Sequence, residues 1–213
     1  LENLHNITQR SESWFAARCG SLGASQLNEA LATTKNGWGA SRENLKSRIV
    51  AEKHTGKPTE TFQNAAMVWG VETEDQARKA YEAATGTFVD EMGIAFHPVL
   101  QHTHASPDGL VGEDGLIEIK CPNTTTHIDT LTDEKVPSKY INQMQWQMRC
   151  TDRQWCDYVS FDPRLPKHLQ LFIKRVDRDD AAIAELETKV AEFLTEVQSK
   201  IDHLNERYSD DAE

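Results

Sequence analysis

Apolar positions along this chain recur at two spacings, every three to four residues and every second residue, and the switches between them divide it into helices and strands. Helical spacing covers 12–32, with Trp14, Phe15, Leu22, Leu27 and Leu31 as core contacts. A stretch rich in Gly, Asn and Thr, from Thr33 to Ser41, predicts a mobile loop. Helical pattern resumes from Arg42 to His54, Gly56-Lys57-Pro58-Thr59 breaks it, and 64–84 is helical again, including Met67, Val68, Trp69, Ala77 and Tyr81. Strands are expected over 87–97, 100–105 and 115–121. A helix over 137–150 opens at Pro137-Ser138, and further strands follow at 156–162 and 168–175. A long final helix, about 178–208, carries Ile183, Leu186, Val190, Phe193, Leu194, Val197, Ile201 and Leu204 on one stripe. Helices, a β-meander, a helix, strands and a helix, in that order, predict an α/β (α+β) sheet with helices packed on it, as one domain over 1–213.

Composition changes this picture little. The hydrophobic and charged fractions, 38% and 27%, are those of an ordinary globular protein, and no apolar run approaches the length of a membrane span. The N-terminus lacks a basic-then-apolar leader, and the missing initiator Met points to a trimmed or partial chain. Cys19, Cys121, Cys150 and Cys156 have no disulfide-framework spacing, which suits a reducing cytoplasm. Cys150 and Cys156 read as small buried side chains rather than metal ligands, since no Cys-x-x-Cys pair accompanies them. A net charge of −11 argues against nucleic acid wrapped over the whole surface, but leaves room for basic residues confined to one cleft or channel.

The chemistry concentrates in Ser106-Pro107-Asp108-Gly109-Leu110 and Glu118-Ile119-Lys120-Cys121-Pro122. An aspartate, a turn, then glutamate and lysine two apart is the layout of a magnesium-dependent nuclease core. Glu118 and Lys120 project to the same face of their strand. Turn residues Val111 to Gly115, with Asp114-Gly115 as the hairpin signal, fold Asp108 back toward them. One metal could then touch Asp108, Glu118 and the main-chain carbonyl of Ile119, while the Lys120 amine acts on the attacking water or on the transition state. Glu74 is the helical acid for a second metal, with Glu72 its competitor, and it reads equally as a solvated charge near a helix N-terminus. Taken singly, Asp108 reads as a turn residue, and Glu118 with Lys120 as an exposed ion pair.

At these residues the chain resembles the lambda exonuclease family of phage recombination nucleases, the YqaJ-like branch of the PD-(D/E)XK nucleases. The resemblance rests on Trp14-Phe15-Ala16-Ala17-Arg18-Cys19-Gly20 with Ala24-Ser25, on Trp69-Gly70 with Glu74, on the two motifs above, and on Tyr140-Ile141-Asn142-Gln143-Met144-Gln145-Trp146. It implies a restriction-endonuclease-like core with a central mixed β-sheet flanked by helices. It implies a toroidal homotrimer that threads duplex DNA and processively degrades one strand from its 5′ end with two Mg²⁺ ions (Mn²⁺ being the other candidate). Mononucleotides are released and a 3′ overhang is left for a single-strand annealing protein. The setting implied is the cytoplasm of a bacterial host, for a phage or prophage protein. Carried over by residue, Asp108, Glu118 and Glu74 match metal ligands, Lys120 the catalytic lysine, and Tyr140 and Gln143 the helix lining the active site. Arg18, Ser25 and Ser106 match a pocket for the terminal 5′-phosphate, a natural task for a guanidinium and hydroxyls. A further pocket arginine of the family falls on Thr126, next to His127, so His127 or another basic residue would compensate. Met67 matches an apolar wedge that splits the terminal base pair, and reads also as a core methionine. Lys35, Arg42, Lys46 and Arg48 are candidate channel residues.

Two other functions fit the same residues: a structure- or site-specific endonuclease on this core, and a module with an inactive metal site that binds DNA ends or the annealing protein, its long C-terminal helix serving as the interaction face. Intact Asp108, Glu118 and Lys120 argue against the module.

Overall fold

The apolar run Gly115–Lys120 forms the middle strand of a five-stranded mixed sheet, and the computed structural model, which describes residues 7–35, 37–59 and 65–208, arranges the remaining elements around it. In chain order the elements are α1 (Glu12–Arg18), β1 (Leu22–Gly23), α2 (Leu27–Ala30), β2 (Thr33–Thr34), β3 (Gly37–Trp38), α3 (Ala40–Thr55), α4 (Ala65–Thr85), β4 (Val89–Asp90), β5 (Ala95–Phe96), β6 (Thr103–Ala105), β7 (Gly109–Val111), β8 (Gly115–Lys120), α5 (Thr124–Asp133), α6 (Ser138–Thr151), β9 (Trp155–Phe161), β10 (Leu171–Asp177) and α7 (Asp180–Arg207).

The main sheet runs β10-β9-β8-β7-β4; β8 and β9 are parallel and the other pairs antiparallel. Because β8 is covered on both sides, both of its faces carry apolar residues. Ile117 and Ile119 pack with Ala77 and Tyr81 of α4 and Val159 and Phe161 of β9. On the opposite face Leu116 packs with Met144 and Met148 of α6 and Cys156 and Tyr158 of β9. Glu118 and Lys120 share the Leu116 face, so alternation aims them at α6. A smaller sheet, β1-β6-β5, lies beside a second core formed by α2, α3, α6 and α7.

The final helix follows its predicted stripe: Ile183, Leu186, Val190, Phe193, Val197 and Ile201 are buried, with Leu194 and Leu204 partly so. Each such side chain contributes about 1.5–3 kcal/mol relative to exposure, so packing on α3 and α6, rather than propensity, holds α7 in place. Asp179 caps it by accepting from the amides of Ala181 and Ala182.

Several elements differ from the sequence expectation. The helix expected over 12–32 stops at Arg18, because Gly20 turns left-handed (φ +67°) and a Cβ there would stand 2.7 Å from Lys53 Cγ. The chain then becomes β1, drawn into parallel pairing with Thr103 and His104. Phe15 is 44% exposed and stacks edge-on against Trp14 rather than entering the core. The loop expected from Thr33 contains the short β2–β3 pair, and α3 begins two residues before Arg42. The strand expected over 87–97 is split between the two sheets as β4 and β5. Residues 109–111, read as motif and turn, form β7, and the left-handed turn glycine is Gly112, with Gly115 inside β8. Helix α5 was not expected from the sequence; its first turn is capped by the Asn123 side chain, which accepts from the Thr126 amide. Position 64, the expected start of the α4 helix, lies outside the described residues.

Candidate active site

The β7–β8 hairpin pairs Gly109 with Ile117, which brings the residue before Gly109, Asp108, alongside the end of β8. Gly109 permits this: a Cβ there would lie 2.1 Å from Val89 Cγ1 on the neighbouring strand. Asp108 Oδ2 accepts from the Ile119 amide at 2.7 Å. Glu118 is 1% exposed and ion-pairs through Oε1 with Lys120 Nζ. That burial excludes the reading of Glu118 and Lys120 as an exposed cross-strand pair.

Two amides of α6, one turn apart, complete the environment of Glu118. Gln143 Nε2 donates to Oε1 at 2.7 Å, and Gln147 Nε2 donates to Oε2 at 2.6 Å. Gln147 was not singled out from the sequence, although the four-residue spacing from Gln143 puts both on one helix face. Tyr140 stacks on Tyr158 with centroids 5.6 Å apart, and Lys120 Nζ lies 5.1 Å from its ring centre.

Opposite α6, α4 contributes Glu74, half-buried, whereas Glu72 is exposed. A cleft of about 510 Å³ is lined by Glu74, Asp108, Ile119, Lys120 and Tyr140, with Met67 on its apolar wall. Met67 is 51% exposed, so it is not a core methionine. Glu74 is clamped by two arginines that sequence reading overlooked: Arg10 Nη2 lies 2.6 Å from Oε2, and Arg78 Nη2 lies 3.3 Å from Oε1.

The carboxylates repel one another. Burial first, then Glu118 and Glu74, push Asp108 well above the usual carboxylate range, against the pull of Lys120 and the Ile119 amide. Lys120 is raised although burial works against it, because Glu118 and Asp108 outweigh that loss of solvation. Crowded hard oxygen donors of like charge are what a divalent cation relieves. Among the described residues, no three acidic, His or Cys side chains close into a metal cage. A divalent cation that keeps several waters needs few protein ligands. Asp108, Glu118, the Ile119 carbonyl and Glu74 therefore fit a cation at this cleft.

A second cluster gathers around Trp14. The Arg18 guanidinium lies 3.9 Å from its ring centre, and Trp14 Nε1 donates to Ser106 Oγ at 3.2 Å. Arg18 makes no ion pair among the described residues. Burial lowers it to about 10, so it remains a cation at neutral pH. Ser25 is exposed in the turn that follows β1. Beside Arg18, the buried His104 is held down to about 3 by burial and by that charge, with Nδ1 against Ser21 Oγ at 2.9 Å.

Two expected contributors, His127 and Arg42, are buried. His127 is fully buried, with Nδ1 against Ser160 Oγ at 2.7 Å and Nε2 against the Leu169 carbonyl at 2.8 Å, so its ring has no nitrogen left for a phosphate. Thr126 lies in the first turn of α5. Arg42, expected at a channel wall, is completely buried between the Trp38 and Phe193 rings and paired with Glu196. Lys46 is tied to Glu43 and Glu196, while Lys35 is exposed. All four cysteines are free, with Cys150 and Cys156 buried.

Residues 13–154 match the family model of the YqaJ-like viral recombinase domain. Among solved structures, an alkaline exonuclease (LHK-Exo) from Laribacter hongkongensis is 48% identical, with a TM-score of 0.86 over 92% of this chain and 97% of that one. The structure of LHK-Exo in complex with dAMP gives 0.87 over the same shares. A phage-related exonuclease from Haemophilus somnus 129PT shares the fold at 16% identity, with a TM-score of 0.70 over 86% of this chain and 96% of that chain. No curated protein matches the chain.

Proposed function

This chain belongs to the YqaJ-like viral recombinase family, and from that premise we propose that it is a recombination exonuclease that degrades one strand of linear duplex DNA from the 5′ end. Mononucleotides leave, and a 3′ single-stranded overhang remains for an annealing protein. The observation that carries this reading is the buried Glu118 carboxylate paired with Lys120, which together with Asp108 lines the cleft. The dAMP held by LHK-Exo supports a nucleoside monophosphate as the product released here.

Asp108, Glu118, the Ile119 carbonyl and Glu74 would hold Mg²⁺, or Mn²⁺ in its place. When bound, such ions supply Lewis-acid activation of water and neutralise phosphate charge. Lys120 sets its ammonium beside Glu118, in position to orient the attacking water and to stabilise charge on phosphorus. Gln143 and Gln147 hold the Glu118 carboxylate in its orientation. Arg18, with Ser106 and Ser25, captures the terminal 5′-phosphate, which sets polarity and resists dissociation. Thr126, in the first turn of α5, stands at the position of a further pocket arginine of the family. Exposed Met67 serves as the wedge against the last base pair. A homotrimeric ring around the duplex would supply processivity. No described helix is long and apolar enough to cross a membrane.

The test is linear duplex labelled at each end in turn, incubated with Mg²⁺, with products resolved by strand and size. The 5′-labelled strand should yield labelled mononucleotides while its complement persists. Cutting of closed circles would instead support an endonuclease, and intact linear DNA a binding module.

A further inference from the structure

Arg10 stands at an unusual place. Its backbone is left-handed (φ 66°), a conformation that non-glycine residues rarely hold without support. The support is next to it: Gln9 Nε2 donates to the carbonyls of Met92 at 2.8 Å and Pro107 at 2.9 Å, tying this segment to the residue before Asp108. Arg10 consequently lines both the cleft of about 510 Å³ and an adjoining cavity of about 450 Å³ walled by Glu74, Arg78, Glu91 and Asp108.

The two arginines on Glu74 are not equivalent. Arg78 is 15% exposed and also touches Glu91 at 2.5 Å and the Asp108 carbonyl at 3.4 Å, so it is fixed by several partners. Arg10 is 44% exposed, and among the described residues its guanidinium touches Glu74 alone. A guanidinium has five N–H donors, so most of its capacity faces the cleft unused. Lys120 is already committed to Glu118, and Arg78 to Glu74 and Glu91.

We propose that Arg10 is a conditional ligand for a DNA phosphate: it neutralises Glu74 while the cleft lacks a cation, and grips the backbone of the bound strand once Glu74 turns to a divalent ion. This rests on the reading of Asp108, Glu118 and Glu74 as the cation site. Arg78 keeps Glu74 partnered through the exchange, and the Gln9 anchor keeps Arg10 over the cleft. The outcome is that ion binding releases a positive charge to the substrate.

The experiment measures binding of a fluorescent 5′-phosphorylated duplex by anisotropy across a salt series, with Ca²⁺ or with EDTA, for the wild type, Arg10→Ala, Arg10→Lys and Asp108→Ala. With Ca²⁺, Arg10→Ala should weaken binding about tenfold at low salt and reduce the slope of log affinity against log salt by about one. Arg10→Lys should restore the slope, and in EDTA Arg10→Ala should match the wild type. Unchanged binding by Arg10→Ala in Ca²⁺, or equal weakening in both conditions, would overturn the proposal. If Asp108→Ala still binds more tightly with Ca²⁺ than with EDTA, the cation-site reading itself fails and the proposal falls with it. If Asp108→Ala loses that difference while Arg10→Ala keeps it, only the role of Arg10 is refuted.

Discussion

Gln147 donates to Glu118 Oε2 at 2.6 Å from a position with no solvent exposure, so the carboxylate of a strand in the central sheet is fastened to the helix across from it. The Glu118 charge, paired with the cleft-lining Lys120, is thus part of the core, and its orientation depends on a side chain that cannot itself reach substrate.

Gln147→Leu tests that dependence. Leucine fills similar volume but removes the donor, leaving one oxygen of a buried carboxylate short of a partner. We expect a loss of about 1–3 kcal/mol in urea unfolding together with reduced turnover. Gln143→Leu, at the half-buried end of the same helix face, should destabilise less. Wild-type stability in Gln147→Leu would mean that Glu118 does not need this bond.

Asp108→Ala should abolish hydrolysis while end binding in EDTA persists. The variant loses an acid that burial and two neighbouring carboxylates hold in an unfavourable state, so removal should not unfold the metal-free protein. Residual wild-type turnover on linear duplex would take Asp108 out of the reaction.

For Arg18→Ala the expected result is loss of preference for 5′-phosphorylated over 5′-hydroxyl ends, with hydroxyl-end turnover little changed. The guanidinium is fixed against Trp14, which also holds Ser106, so one substitution removes the charge and leaves the hydroxyl. An unchanged preference would locate the end-recognition pocket elsewhere.

His104 makes the fold acid-sensitive. Its unfolded value is near 6.5, while burial and then Arg18 hold the folded value at about 3. Below 6.5 the unfolded chain takes up a proton that the folded protein refuses. This contribution is therefore intact above pH 6.5 and lost progressively as pH falls toward 3. His97, lowered to about 4 by burial and Arg149, acts in the same direction. The urea midpoint of His104→Gln should drop less than that of the wild type between pH 7 and pH 5; parallel curves would remove His104 as a source.

What the sequence disclosed was whatever local pattern controls. The α7 stripe, the β8 alternation and the approach of Asp108 to Glu118 and Lys120 follow from periodicity and motif spacing, whereas Tyr140 and Gln143 were expected beside them only through the family resemblance. What it concealed depends on distant partners. Leu22 and Gly23 are a strand only because Thr103 and His104 lie alongside, and the threonine-rich α5 has ordinary helix formers at few positions. Arg42 looks like a channel charge until Glu196, 154 residues later, and two aromatic rings enclose it. Arg10 and Arg78 have no motif of their own, since their significance comes from Glu74.

Lys120→Ala separates ion binding from chemistry. The ammonium touches Glu118 but is not a cation ligand, and the two α6 amides still hold the carboxylate after the substitution. Mg²⁺ affinity, measured by calorimetry, should therefore stay within about threefold of the wild type, while kcat falls by about a hundredfold or more as a donor aimed at developing charge is lost. Lys120→Arg should recover little, because a planar fork cannot take the place of a compact ammonium between Glu118 and the Tyr140 ring. Equal losses in ion affinity and turnover would assign Lys120 to holding the site together; unchanged turnover would exclude it from the reaction.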